Sequence, residues 1–258
     1  MKQDERREYL IKYLLKEKIR FGGYQIPLDK KEQENLLRSL MNVRPPRPIS
    51  DTFLEIQDAY LKERSKERGI TDVTDLKPVQ SDPRLYIWQG DITTLRCDAI
   101  VDACNSQMLG CFSPMHACID NSIHTYAGIE LRLKMYEIMK KQGHEEEVGQ
   151  AKITPGYNLP AKYILHTVGP IVQSIVTKED EDLLARCYRA CLKLAEETGV
   201  ESIAFCCLST GVFAFPQEQA AKIATTTIKQ YLNKNSCIKQ VIFNVFQDED
   251  LRIYEELL

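Results

Sequence analysis

No apolar run in this 258-residue sequence approaches the roughly 20 residues that a bilayer crossing demands, so no membrane is expected as a partner. Positive charge is not in surplus either. The formal charge of −3 offers no basic face to duplex nucleic acid, which is not an expected partner. An anionic ligand would have to rely on local donors such as helix N-termini, not on the field of the whole protein. Internal repeats and low-complexity stretches are missing, which removes repeat arrays and biased tails from consideration. No apolar core follows the charged opening Met1 to Arg7, so the chain reads as lacking a secretory signal. Disulfides are not expected. The nine cysteines are an odd number, and Cys104, Cys206 and Cys207 lie in apolar segments where free thiols behave as small hydrophobes. A cytoplasmic protein with reduced thiols is the expectation. What remains is 43% apolar and 28% charged, ordinary values for a globular chain of one large domain with an extension.

The texture changes near residue 80, and the expected division is a helical N-terminal extension over 1–80 and a main domain over 81–258. In the first part, Tyr9, Leu10, Tyr13 and Leu14 stand at helical spacing within Glu8 to Lys18, as do Leu36, Leu37 and Leu40 within Glu32 to Met41. The proline-rich stretch Val43 to Pro48 cannot continue a helix and should run extended over a surface. Ser50, followed by Phe53, Ile56, Tyr60 and Leu61, marks a third amphipathic helix that ends in the solvated charge run Lys62 to Arg68. These helices are too short to make a core of their own and should pack on the larger domain.

From Pro83 onward, short apolar runs appear: Leu85 to Trp88, Ala99 to Val101, Tyr163 to His166, Ile203 to Cys206, and Val241 to Phe243. Long helical patterns alternate with them, most clearly Leu183 to Glu197 and Gln217 to Leu232. Continuous apolar strands between helices imply an α/β layered fold around a largely parallel, buried sheet.

In such sheets, ligands collect beyond the carboxyl ends of the strands. The residues there are Gln89 to Thr93, Asp102 to Ser106, and Leu208 to Pro216. The last is a turn of small residues before a helix, suited to bringing backbone N–H groups close to a phosphate, although an ordinary strand-to-helix turn looks the same. The sharpest local signal is Leu109 to Cys118. There Cys111, His116 and Cys118 place two thiols and an imidazole, the preferred ligands of zinc, within eight residues. Three ligands with an open fourth position is the pattern of a catalytic zinc, but two buried thiols and a core histidine would give the same spacing. His166, in an apolar run, reads as a packed core residue, and His144 as exposed. Asp120 opens the apparent helix Asn121 to Tyr126 and would serve either as its N-cap or as a carboxylate aimed into the cleft.

Taken together these segments resemble the macrodomain family. The matches are Gly90 to Thr93, Asp102 to Ser106, Gly149 to Thr154 with Gly156-Tyr157, Leu159 to Tyr163, His166 to Pro170, and Ser209 to Phe213. The Cys111/His116/Cys118 segment stands where most macrodomains have a glycine-rich loop, which is similar to the zinc-containing bacterial subclass, as is the helical extension. The resemblance implies a three-layer α/β/α domain with a mostly parallel mixed sheet, one zinc ion per chain held by Cys111, His116 and Cys118, and removal of mono-ADP-ribose from modified, acidic side chains. It implies that Asp91 accepts from the adenine amino group and Ile92 offers a nearby N–H. It also implies that Ser209, Thr210, Gly211, Val212 and Phe213 wrap the diphosphate, that Phe215 packs on the distal ribose, and that Asn105 contacts that ribose. Asp120, with Asn105, would act at the scissile bond. The implied partners are ADP-ribose or an ADP-ribosylated protein, together with a sirtuin-type ADP-ribosyltransferase and its lipoylated carrier-protein target. The alternatives are a non-catalytic ADP-ribose-binding module and an O-acetyl-ADP-ribose deacetylase with a structural zinc. Three residues depart from the family pattern: Asp102 for asparagine, Cys104 for alanine, and Ala214 for glycine. Asp102 would either repel the diphosphate or replace a structural hydrogen bond. Ala214 would be strained if its position requires positive φ.

Overall fold

Strands that are apolar on both faces must be covered on both faces, and the five apolar runs meet that demand by lying side by side. The computed structural model describes residues 1–17, 25–234 and 236–258. Its strands are β1 (Thr71–Asp72), β2 (Pro78–Val79), β3 (Asp82–Gln89), β4 (Leu95–Arg96), β5 (Ala99–Cys104), β6 (Ala151–Pro155), β7 (Tyr163–Val168), β8 (Ser202–Phe205) and β9 (Gln240–Val245). Seven form one sheet in the order β2-β3-β9-β8-β5-β7-β6. The five expected strands, β3, β9, β8, β5 and β7, are its parallel interior. The edge strands β2 and β6 run antiparallel to their neighbours. The short strands β1 and β4 pair with each other.

The helices are α1 (Gln3–Lys16), α2 (Lys30–Val43), α3 (Asp51–Arg68), α4 (Ile119–Ala127), α5 (Ile129–Gln142), α6 (Lys178–Glu197), α7 (Gln217–Leu232) and α8 (Asp248–Leu257). Helix α6 starts earlier than its apolar pattern because Thr177 and Asp180 form a capping box upstream. The expected end of the first helix, Lys18, lies outside the described residues. Side-chain oxygens of Asp29 and Ser50 cap α2 and α3, and Gly69 ends α3 at φ 84°. The run Lys62 to Arg68 forms the last turns of α3, with Lys62, Lys66 and Glu67 exposed, while Arg64 pairs with Glu34 and Glu67. Among the described residues no helix is long and apolar enough to cross a membrane.

The three N-terminal helices do build a small core, contrary to the expectation from their length. Leu10, Ile11, Leu14, Leu37, Leu40, Met41, Phe53, Tyr60 and Leu61 are buried together, and Ile129 of α5 joins them. No single helix is long enough, but α1 packs against both α2 and α3, so the three share one apolar interior. Polar ties fasten this unit to the sheet domain. Arg132 of α5 donates to the carbonyls of Met41, Asn42 and Arg44 at and just beyond the end of α2. Gln57 of α3 accepts from the Ile129 N–H.

Candidate functional site

A cleft of about 620 Å³ opens where the parallel strands end. Its walls carry Gly90, Asp91 and Ile92 after β3, Asn105 after β5, Gly169 after β7, Cys206 and Cys207 after β8, and Phe246 and Gln247 after β9. This volume is within the range of cofactor pockets, and its place is the one parallel topology favours.

At one end Asp91 caps the short turn Ile92–Thr94, accepting from the N–H and hydroxyl of Thr93 at 2.9 and 2.6 Å. Its second oxygen is paired with Arg68, the last residue of α3, whose guanidinium stacks on Tyr126. Along the floor, the Ser209 to Phe213 loop forms a tight turn in which Ser209 and Ala214 both adopt left-handed backbone, φ 64° and 56°. The strain foreseen at Ala214 is therefore present. Ser209 Oγ is buried without a hydrogen-bond partner, a donor left free at the cleft wall. Helix α7 follows with no side-chain cap, so its first-turn N–H groups are unopposed by a side chain. No lysine or arginine is among the residues lining this cleft.

At the other end Cys111, His116 and Cys118 line the wall, with one ligand atom of each within 4.8 Å of the other two. Gly110 enters this segment at φ 80°, where an added Cβ would stand 2.7 Å from the His124 ring. Cys118, not Asp120, is the N-cap of α4, its Sγ accepting from the Asn121 N–H at 3.4 Å. Burial pushes its thiol up to about 12. The three ligand atoms are close enough to share one tetrahedral ion, whose ligands stand roughly 3.5 Å apart. Two thiols and an imidazole are also the donor set that zinc prefers, so the residues fit such an ion.

Asp120 reaches the cleft wall but is only 4% exposed. Its Oδ1 lies 3.4 Å from His124 Nε2. Burial, then the neighbouring Asp102 carboxylate, raises the Asp120 carboxyl well above the usual range, while burial lowers His124. Asp102 is fully buried and faces His166 Nδ1 at 3.0 Å, and His166 Nε2 faces Thr154 Oγ1 at 3.0 Å. Burial moves the Asp102 carboxyl up to about 7 and the His166 imidazole down to about 4. Asp102 thus faces a structural partner through one oxygen and does not line the cleft. His166 is a packed, hydrogen-bonded core residue and His144 is exposed, both as expected.

Phe215 differs from expectation. It is 2% exposed, packs in the main core, and does not line the cleft; the aromatic ring in the wall at this loop is Phe213. Reversal of the chain at Ala214 turns the second phenylalanine inward, where its N–H closes the turn on the Ser209 carbonyl. Phe246, 74% exposed at the cleft mouth, was not singled out, nor was Asn244, whose amide holds the Gly90 carbonyl at 2.9 Å. Applying the strand-end rule to the Val241 run as well would have found both.

A mixed, mainly parallel sheet with a nucleotide-sized cleft across its strand ends defines a class of ligand-binding α/β domains. Within that class the match is specific. The family model described as "Macro domain" matches residues 101–224. The chain is 55% identical, over 100% of both sequences, to a Treponema medium protein named "Protein-ADP-ribose hydrolase". It is 51% identical to a protein of the same name from Staphylococcus aureus (strain MRSA252), over 97% of this chain and 94% of that one. Among solved structures it is similar to the Trypanosoma brucei macrodomain in complex with ADP-ribose, with TM-score 0.66 and 30% identity over 85% of this chain and 94% of that one. The chain belongs to the macrodomain family.

Proposed function

We propose that this protein is a zinc-dependent hydrolase that releases mono-ADP-ribose from modified protein side chains, acidic ones foremost. One observation carries the reading: the three candidate metal ligands converge on the same cleft that Asp91, Asn105 and the Ser209 to Phe213 loop line. A module that only binds ADP-ribose needs no such cluster. The names of the Treponema medium and Staphylococcus aureus relatives support the activity.

In this reading the adenine lies between Asp91, Ile92 and the exposed Phe246. The diphosphate takes the backbone N–H groups of residues 209–213, the free Ser209 hydroxyl and the unopposed start of α7. These fixed dipoles substitute for the basic side chains the cleft lacks. The distal ribose sits beside Asn105, with Phe213 rather than Phe215 against its face. The bond between the anomeric carbon and the carboxyl oxygen of the modified side chain breaks, water oxygen takes its place on carbon, and a water proton leaves with the freed carboxyl group. Rupture builds oxocarbenium-like charge at that carbon. A zinc ion on Cys111, His116 and Cys118 would supply Lewis acidity, weakened by two thiolates, and a fixed point for orienting a ribose hydroxyl or the water. Asp120, in the first turn of α4, aligns the attacking oxygen. A transferase must act first, since this reaction consumes its product; a sirtuin-type ADP-ribosyltransferase and its lipoylated carrier-protein target are the proposed partners. The ligand thiols must stay reduced, which suits the cytoplasm.

The test combines metal analysis of the purified chain with ADP-ribose release from a mono-ADP-ribosylated protein. Cys118→Ala and Asp120→Ala are each expected to slow release by about 100-fold or more while leaving ADP-ribose bound. Full release by both variants would refute the assignment. A chelator that leaves both binding and release intact would refute zinc dependence.

A further inference from the structure

The segment bearing the three candidate ligands is held from outside by the N-terminal helices. Arg38 of α2 donates through Nη2 to Asn121 Oδ1 at 2.7 Å and to the His116 carbonyl at 3.0 Å, and through Nε to the same Asn121 oxygen at 3.3 Å. Asn121 is fully buried, and its Nδ2 donates to the carbonyls of Ser113 at 2.9 Å and Cys111 at 3.5 Å. Its N–H meets Cys118 Sγ. One arginine and the asparagine it fixes therefore touch all three ligand residues. A second tie comes from one turn further along α2, where Asn42 Oδ1 accepts from the Met115 N–H at 3.1 Å. Met115 stands at φ 56°, a conformation a non-glycine residue holds only when its surroundings enforce it.

We propose that Arg38 is a positioning residue of the metal site, and that metal binding and docking of the helices α1 to α3 strengthen each other. The inference rests on the metal reading given above. A guanidinium suits the task because its rigid fork can serve two acceptors at once, here the His116 carbonyl and the Asn121 amide oxygen. Groups that orient metal ligands in this way change metal affinity when removed. Coupling is reciprocal: if the docked helices favour the ligating conformation, a bound ion must favour the docked helices.

The test compares Arg38→Ala with Arg64→Ala, which removes a different guanidinium from the same helical unit, one that pairs with Glu34 and Glu67. Zinc affinity is measured by competition with a chromophoric chelator. A loss of roughly tenfold or more is expected for Arg38→Ala and none for Arg64→Ala. Equal affinity in wild type and Arg38→Ala, or equal losses in both variants, would overturn the proposal. If Arg38→Ala does not fold, hydrogen exchange on the unaltered chain decides: amides of residues 30–43 should exchange more slowly with zinc than with chelator, and no difference overturns the coupling. A wild-type chain that binds no zinc overturns the metal reading itself, and this inference with it.

Discussion

Ala214 shows at the scale of one residue how a local conflict is tolerated beside a cleft-lining loop. Its left-handed backbone costs an L-residue on the order of 1–2 kcal/mol, part of which glycine would give back through its freer unfolded state. Ala214→Gly is therefore expected to stabilise the protein by a few tenths to about 1 kcal/mol, read as a higher urea midpoint at unchanged slope. A lower midpoint would show that the turn is not strained. The same turn explains what single residues revealed and what they concealed. Cys111, His116 and Cys118 were legible as candidate ligands because residues within eight positions of one another are brought together by the local chain. Phe213 and Phe215 have the same chemistry, and only the reversal between them decides which ring meets the cleft. Arg38 and Asn42 lie more than seventy residues from the segment they hold, so no local pattern points to them.

Among elements, the interior strands were the easiest to read, because burial on both faces leaves runs such as Val241 to Phe243 with almost no polar residue. Edge strand β6 has polar and apolar residues mixed, and no apolar run marks it as a strand. Helical periodicity located α1, α2 and α3 but could not say which faces meet. Their shared interior centres on Phe53, wholly buried and in ring contact with Tyr13. Phe53→Ala should cost about 3–5 kcal/mol of the stability of this unit. Thermal unfolding checks it: a lower midpoint is expected, and an unchanged one would contradict the shared core.

For the whole molecule, both the N-terminal unit and the sheet domain contact the loops of the cleft. Helix α2 reaches the Cys111 to Cys118 segment through Arg38, and helix α3 reaches the opposite end of the cleft through Arg68 on Asp91. The strands aim their terminal residues into the cleft, and the extension fixes the two loops that bound it. The wall between those loops carries aspartates, backbone amides and apolar side chains, with no cationic side chain. In the proposed reading, capture of a doubly charged guest by amide dipoles draws little on mobile ions, whose screening acts over about 10 Å at 0.1 M salt. Calorimetric titration with ADP-ribose should return nearly the same dissociation constant at 50 and 500 mM sodium chloride; a steep decline would mean that a distant cation takes part. A lining without lysine or arginine exerts little long-range pull on polyphosphates, so under the proposed function selectivity in a crowded, anion-rich medium rests on shape more than on Coulombic attraction.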